Sequence, residues 1–217
     1  MAHEASGVQN SANASKNAEN MKKILKLGLV LFTVTAITGL ILGAVNDITT
    51  EPIRLTQARL KAAALAAALP EADEFKAVDL PPASSGDGAN TSKSVIIRDV
   101  QQGQSAGKPV GYCITVASSG YGGLIEIVVG INESGGLRAI RILSQSETPG
   151  LGAKAEQVLS GQFANKAVEK LVVVKRAPDA PDQIQAISGA TITSDAVTLG
   201  VNSALEYWRN NLKGQRR

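Results

Sequence analysis

The chain changes its hydrophobic rhythm several times along its length. Residues 1–20 are mainly Ala, Asn and Ser with scattered charge and no apolar period. That composition buries too little surface to fold, so a disordered tail is expected there. The next stretch, MKKILKLGLVLFTVTAITGLILGAVND, carries no charge from Leu27 to Val45. As a helix this run spans roughly 28 Å, close to the hydrocarbon thickness of a bilayer. A signal peptide has a shorter apolar core ending in a small-residue cleavage site, so a retained transmembrane helix is expected over 21–46. Lys22, Lys23 and Lys26 precede it, and Asp47 and Glu51 follow. The positive-inside bias predicts a cytoplasmic N-terminus and an extracytoplasmic remainder. Gly39 and Gly43 form a G-x-x-x-G pair that suits close helix packing.

The segment EPIRLTQARLKAAALAAALPEADEF is rich in Ala and Leu and strongly helical by propensity. Pro52 suits a first helical turn and Pro70 an end. With the Pro/Gly/Ser/Asn stretch LPPASSGDGANTSKS after it, this predicts a juxtamembrane stalk helix and linker over 47–92. From Ser94 the period shortens toward two. SVIIRDV, PVGYCITVAS, LIEIVVGIN, LRAIRIL and LVVVKR read as strands, with NESGG (Asn132–Gly136) as a hairpin turn. A helix is expected over Ala153–Leu159. A last helix, SDAVTLGVNSALEYWRNNL, places Val197, Val201, Ala204, Leu205 and Trp208 on one face. The class is α+β: an antiparallel sheet with packed helices, behind a single N-terminal transmembrane helix.

Composition narrows the chemistry. The net charge is only +3, with no basic stripe interleaved with aromatics, so nucleic acid is not a partner. The chain holds one Cys and one His. A His/Cys metal centre and any histidine-dependent triad are therefore excluded. Cys113 lies in an alternating stretch and reads as a small core residue. No catalytic side chains are expected, and redox or transfer chemistry would have to come from a cofactor.

Three glycine-bearing loops stand at the ends of the expected strands. AISGATITSDAV gathers Ser188, Thr191, Thr193 and Ser194 around Gly189 and Ala190. Thr193 or Ser194 as a helix cap is one reading. The other is a phosphate seat: free N–H groups at the helix N-terminus favour an anion, and small residues let it approach. In the second loop, Glu147, Thr148, Pro149, Gly150, Leu151 and Gly152 form a turn that presents Leu151. The third, Gly120–Gly123, carries Tyr121. Together they suit a planar ligand with a phosphate tail.

ETPGLG at Glu147–Gly152 with SGAT at Ser188–Thr191, behind one membrane helix, resembles the G subunit of the Rnf electron transport complex. It is also similar to the related C subunit of the sodium-translocating NADH:quinone reductase. The resemblance covers the chain from about Lys22 to Leu212. It implies an FMN-binding domain over 93–213, with FMN joined covalently by a phosphoester to Thr191. A flavin transferase would install it from FAD. In that arrangement Ser188 and Thr193 would bond the phosphate oxygens, beside Gly189 and Ala190. Leu151, between Gly150 and Gly152, would cover the ring, with Glu147 and Thr148 near its polar edge and Tyr121 as a wall. The family's motif often carries an acidic residue three positions before its serine, where this chain has Gln185.

The implied function is electron relay in the inner cell membrane, within a complex that couples ferredoxin/NAD electron transfer to ion transport. Neither a nicotinamide nor an iron–sulfur motif is visible, so those centres belong to the other subunits of the complex. Two alternatives stand beside it. One is the homologous quinone-reductase subunit. The other is a flavin-free anchored binding or assembly module in which Thr191 merely caps a helix.

Overall fold

The computed structural model describes residues 3–78 and 95–214, with side chains from Met21 onward except Ile24. The linker read at Leu80–Ser94 lies outside them. The chain divides into two compact units, Met1–Gln57 and Ala58–Arg217. A single helix, α1, runs from His3 to Ala68. Its backbone is helical from His3, where the composition predicts a disordered tail. Extending a helix that is already formed avoids the cost of nucleation. Pro52 lies inside α1 rather than in the first turn of a separate helix. The apolar run before it and the Ala-rich run after it outweigh a local cost of about 3 kcal/mol.

In the first unit, α1 is long and apolar enough to cross a membrane. Its threonine hydroxyls return to the backbone one turn earlier: Thr33 to Leu29 O at 2.8 Å, Thr38 to Val34 O at 2.9 Å and Thr49 to Val45 O at 2.6 Å. No hydroxyl of these residues therefore needs a partner outside the helix.

The second unit is built on a five-stranded antiparallel sheet in the order β1-β2-β3-β4-β5. The strands are β1 (Glu74–Ala77), β2 (Val95–Ser105), β3 (Lys108–Ser119), β4 (Leu124–Asn132) and β5 (Leu137–Ser144). Consecutive strands pair, and from β2 to β5 the connections are short, as such pairing favours. Ala106 and Gly107 join β2 to β3, both at positive φ, the conformation that matches the twist of a two-residue hairpin. The Asn132–Gly136 turn closes as its sequence predicts, with Asn132 N–H on Gly136 O at 2.9 Å. A 3₁₀ turn (Gly152–Lys154) leads into α2 (Ala155–Phe163), which runs beyond Leu159 because Phe163 is also buried. The parallel pair β6 (Val172–Val174) and β7 (Gln183–Gln185) precedes α3 (Thr191–Tyr207) and a final π turn (Trp208–Leu212).

Period-two burial gives the sheet two cores. Ile114, Val116, Ile127 and Val129 face one way and pack with Leu159, Phe163, Val197, Val201 and Trp208. Cys113 and Val128 face the other way and pack on Leu65, Ala68 and Leu69 from the end of α1. The last turns of α1 therefore belong to the folded domain. Burial pushes the Cys113 thiol up to about 12.

Candidate functional site

The turn Ile187–Ala190 launches α3. Ala190 N–H donates to Ile187 O at 2.9 Å, and Gly189 between them has φ +77°. A positive φ at the third position of such a turn selects glycine. Ser194, one turn into the helix, winds this corner. Its Oγ accepts from Ile187 N–H at 2.9 Å and donates to Ala190 O at 3.0 Å.

Ala190 is the N-cap and provides no side-chain oxygen. The first backbone bond of the helix runs from Ser194 N–H to Ala190 O at 3.1 Å. The amides of Thr191, Ile192 and Thr193 precede it, so the positive end of α3 is open to an anion. Neither Thr193 nor Ser194 is the cap that one reading of the sequence proposes. α3 begins at Thr191, earlier than the Ser194 start its pattern suggests. The β-branched run Thr191-Ile192-Thr193 disguises the first turn as strand.

The other two loops reach this helix end through one carboxylate. Glu147 is 6% exposed. Its Oε1 accepts from Gly122 N–H at 2.8 Å, and its Oε2 accepts from the Thr193 hydroxyl. Gly152 closes over the pair: a Cβ there would lie 2.6 Å from Thr193 Oγ1 and 2.8 Å from Glu147 Oε2. The loops at 120–123 and 145–152 and the start of α3 thus converge as the sequence suggests. Glu147 and Thr193 are both buried and engage each other, a bond that braces the first turn of α3 against the second loop.

Leu151 is 43% exposed. Its Cδ2 lies 3.2 Å from where a Gly189 Cβ would be, so the side chain rests over that bare α-carbon. Thr148 is exposed, and its carbonyl holds the turn by accepting from Leu151 N–H at 3.2 Å and Ala153 N–H at 3.3 Å. Gly150 supports that turn at φ +81°. Ser188 is exposed and Thr191 half-buried. Tyr121 is 69% exposed on the rim loop. Gln185 sits in β7, where Gln162 bonds its backbone N–H at 2.7 Å. Two features escaped the sequence reading. Gln145 Nε2 ties the second loop to Ala153 O at 2.9 Å, and Ile192 leaves an apolar side chain 47% exposed in the first turn of α3. An exposed isoleucine beside SGAT was the available signal for the latter.

Comparison with known proteins covers these same residues. The FMN-binding domain family matches residues 120–206, which contain all three loops. The chain is 38% identical over 195 residues to the G subunit of the Na(+)-translocating ferredoxin:NAD(+) oxidoreductase complex of Acetobacterium woodii, covering 87% of this chain and 93% of that one. It is 36% identical over 176 residues to the G subunit of the proton-translocating ferredoxin:NAD(+) oxidoreductase complex of Clostridium ljungdahlii, covering 80% and 86%. Among solved structures, the C subunit of the Na(+)-translocating NADH-quinone reductase of Parabacteroides distasonis aligns at 26% identity and a TM-score of 0.47, over 54% of this chain and 64% of that one. With an open helix terminus and convergent glycine loops inside the matched region, the chain belongs to the family of G subunits of ion-translocating ferredoxin:NAD(+) oxidoreductase complexes.

Proposed function

We propose that this protein is a membrane-anchored flavoprotein subunit that relays electrons through FMN esterified to Thr191, within a complex coupling ferredoxin/NAD electron transfer to ion transport. One observation carries the attachment site. Of the four hydroxyls clustered at Ser188–Ser194, those of Thr193 and Ser194 are buried and engaged internally. Thr191 stands at the first position of an uncapped helix, next to Gly189 and Ala190. An ester at its oxygen retains one negative charge, and the open N–H groups of that helix end stabilise such a charge.

Bound there, FMN supplies the electron-accepting and electron-donating chemistry that these side chains lack. The chain's own part is to hold and shield. Thr191 Oγ1 would displace AMP from FAD, losing its proton to the medium, with a flavin transferase as the catalyst. Ser188, exposed beside the turn, would donate to a phosphate oxygen. Leu151 gives an apolar cover over the glycine turn. The Glu147–Thr193 brace fixes the helix end against the other two loops. The tether keeps the cofactor from diffusing away on the extracytoplasmic side, the side that the lysines before the apolar run favour.

The relatives support the ferredoxin:NAD complex over the quinone reductase, and the alanine N-cap speaks against Thr191 as a mere cap. Thr191→Ala in the full chain tests the attachment. Expected is loss of in-gel flavin fluorescence, and of the FMN mass increment on the peptide holding residue 191, with the melting temperature unchanged. A fluorescent alanine variant sinks the assignment.

A further inference from the structure

The opposite end of the domain holds a second concavity, of about 470 Å³. α3 separates it from Thr191: its seventeen residues end at Tyr207, just before Trp208, about 25 Å away along the helix. The β4–β5 hairpin, the segment after α2 and the π turn line it. Four cations, Arg138, Lys166, Arg209 and Lys213, stand in the lining against one acid, Glu169. Their partners are mostly neutral. Arg138 donates to Asn165 Oδ1 at 2.8 Å, Arg209 to the backbone carbonyl of Glu169 at 2.8 Å and Lys166 to the carbonyl of Pro181. Among the described residues, Arg138 alone of the four is also paired with a carboxylate, that of Glu71.

Neutral acceptors fix Lys166 and Arg209 without cancelling their charge, whereas the charge of Arg138 is met by Glu71. An arginine fork held as Arg209 is suits a carboxylate. A complement to the C-terminal dipole of α3 would account for Arg209 and Lys213. It does not account for Arg138 and Lys166, which arrive from other elements. Trp208 forms part of the wall and is 5% exposed, with Nε1 buried and no hydrogen-bond partner among the described residues. The volume lies in the range of specific pockets, roughly 300–1,000 Å³.

We infer that this basic pocket is the docking seat for an acidic peptide segment of a partner subunit. The inference rests on the proposed membership of a complex. Docking at this end leaves the Thr191 end free for electron exchange.

The test uses the tagged full chain in its native membrane. Arg209→Glu with Lys213→Glu is expected to lower co-purification of the other subunits by about tenfold, while the flavin-fluorescent band keeps its intensity. Lys213→Gln alone, on an exposed side chain, is expected to give a smaller loss relative to wild type, which shrinks as added salt screens the charge. A photo-crosslinking residue at Ala167 should join the chain to a partner peptide rich in Asp and Glu, identified by mass. Undiminished co-purification of the double variant overturns the proposal. So does a crosslink to lipid or to a segment without acids. A wild-type chain that retains its flavin but brings down no other subunits fails the complex reading and this proposal together. Loss of fluorescence in Thr191→Ala alone bears only on attachment.

Discussion

The Thr193 hydroxyl donates to the Glu147 carboxylate across 46 positions of sequence, and both side chains are buried. The bond joins the first turn of α3 to the loop that carries Leu151. Thr193→Val keeps the shape and removes the donor, leaving one buried carboxylate oxygen without its partner. The expected cost is about 1–3 kcal/mol, read as a lower denaturation midpoint. Flavin incorporation per folded protein should fall with it, because Thr191 lies two residues away. Glu147→Gln can still accept from Gly122 N–H and should lose less. A Thr193→Val protein with unchanged midpoint and flavin content would remove the brace from the account.

Gly152 and Gly189 test two different constraints at the same site. A methyl at Gly152 meets Thr193 Oγ1 and Glu147 Oε2 inside contact distance, so Gly152→Ala should push the brace apart. At Gly189 the obstacle is the backbone, held at φ +77°, where an L-residue pays about 1–2 kcal/mol. Both variants are expected to incorporate less flavin, and chemical denaturation beside in-gel fluorescence reads both effects. Full incorporation in Gly152→Ala would mean that the carboxylate does not need its tight enclosure.

Leu151 separates cover from core. A fully buried leucine truncated to alanine costs about 2–5 kcal/mol, but this one is 43% exposed. Leu151→Ala should therefore cost well below that range and leave covalent attachment intact, while shifting the flavin absorption bands and midpoint potential. A redox titration and a thermal melt on one sample decide it. An unchanged spectrum with a sharply lowered melting temperature would assign Leu151 to packing.

Cys113 is buried, and its thiol is pushed up to about 12 from an ordinary 9.0. Near neutral pH its thiolate fraction is about a thousandfold below that of a free cysteine. The native chain should therefore resist maleimide until denatured. That silence makes an introduced cysteine a clean reporter of sidedness. Lys108→Cys, at an exposed strand start, should react with an impermeant maleimide on intact spheroplasts. Labelling only after lysis would place the domain in the cytoplasm.

Much of this architecture is legible in one dimension. The strands rich in Val and Ile, the Asn132–Gly136 hairpin and the buried face of α3 follow from period and turn chemistry. β1 and β7 do not. Glu74–Ala77 and Gln183–Gln185 are too short and polar to carry a pattern, and pairing partners define them. The site divides the same way. Gly189, Gly150 and Thr191 announce themselves by residue type beside a helix start. The inward turn of Glu147 depends on Gly122 and Thr193 arriving from two other loops, and local sequence holds no trace of that meeting.

The end of α1 sets where the domain can be cut. Leu65, Ala68 and Leu69 are three of the five buried residues of the second core, against Cys113 and Val128. A soluble fragment begun at the linker, near residue 93, would lack them together with β1. It would bare one face of the sheet and forfeit about 1.5–3 kcal/mol for each lost leucine. Proteolytic release that spares the fold must fall upstream of Ala58, within what looks from sequence like mere stalk. The length of helix that a protease leaves attached therefore decides whether the freed flavoprotein is a folded electron carrier or an aggregate.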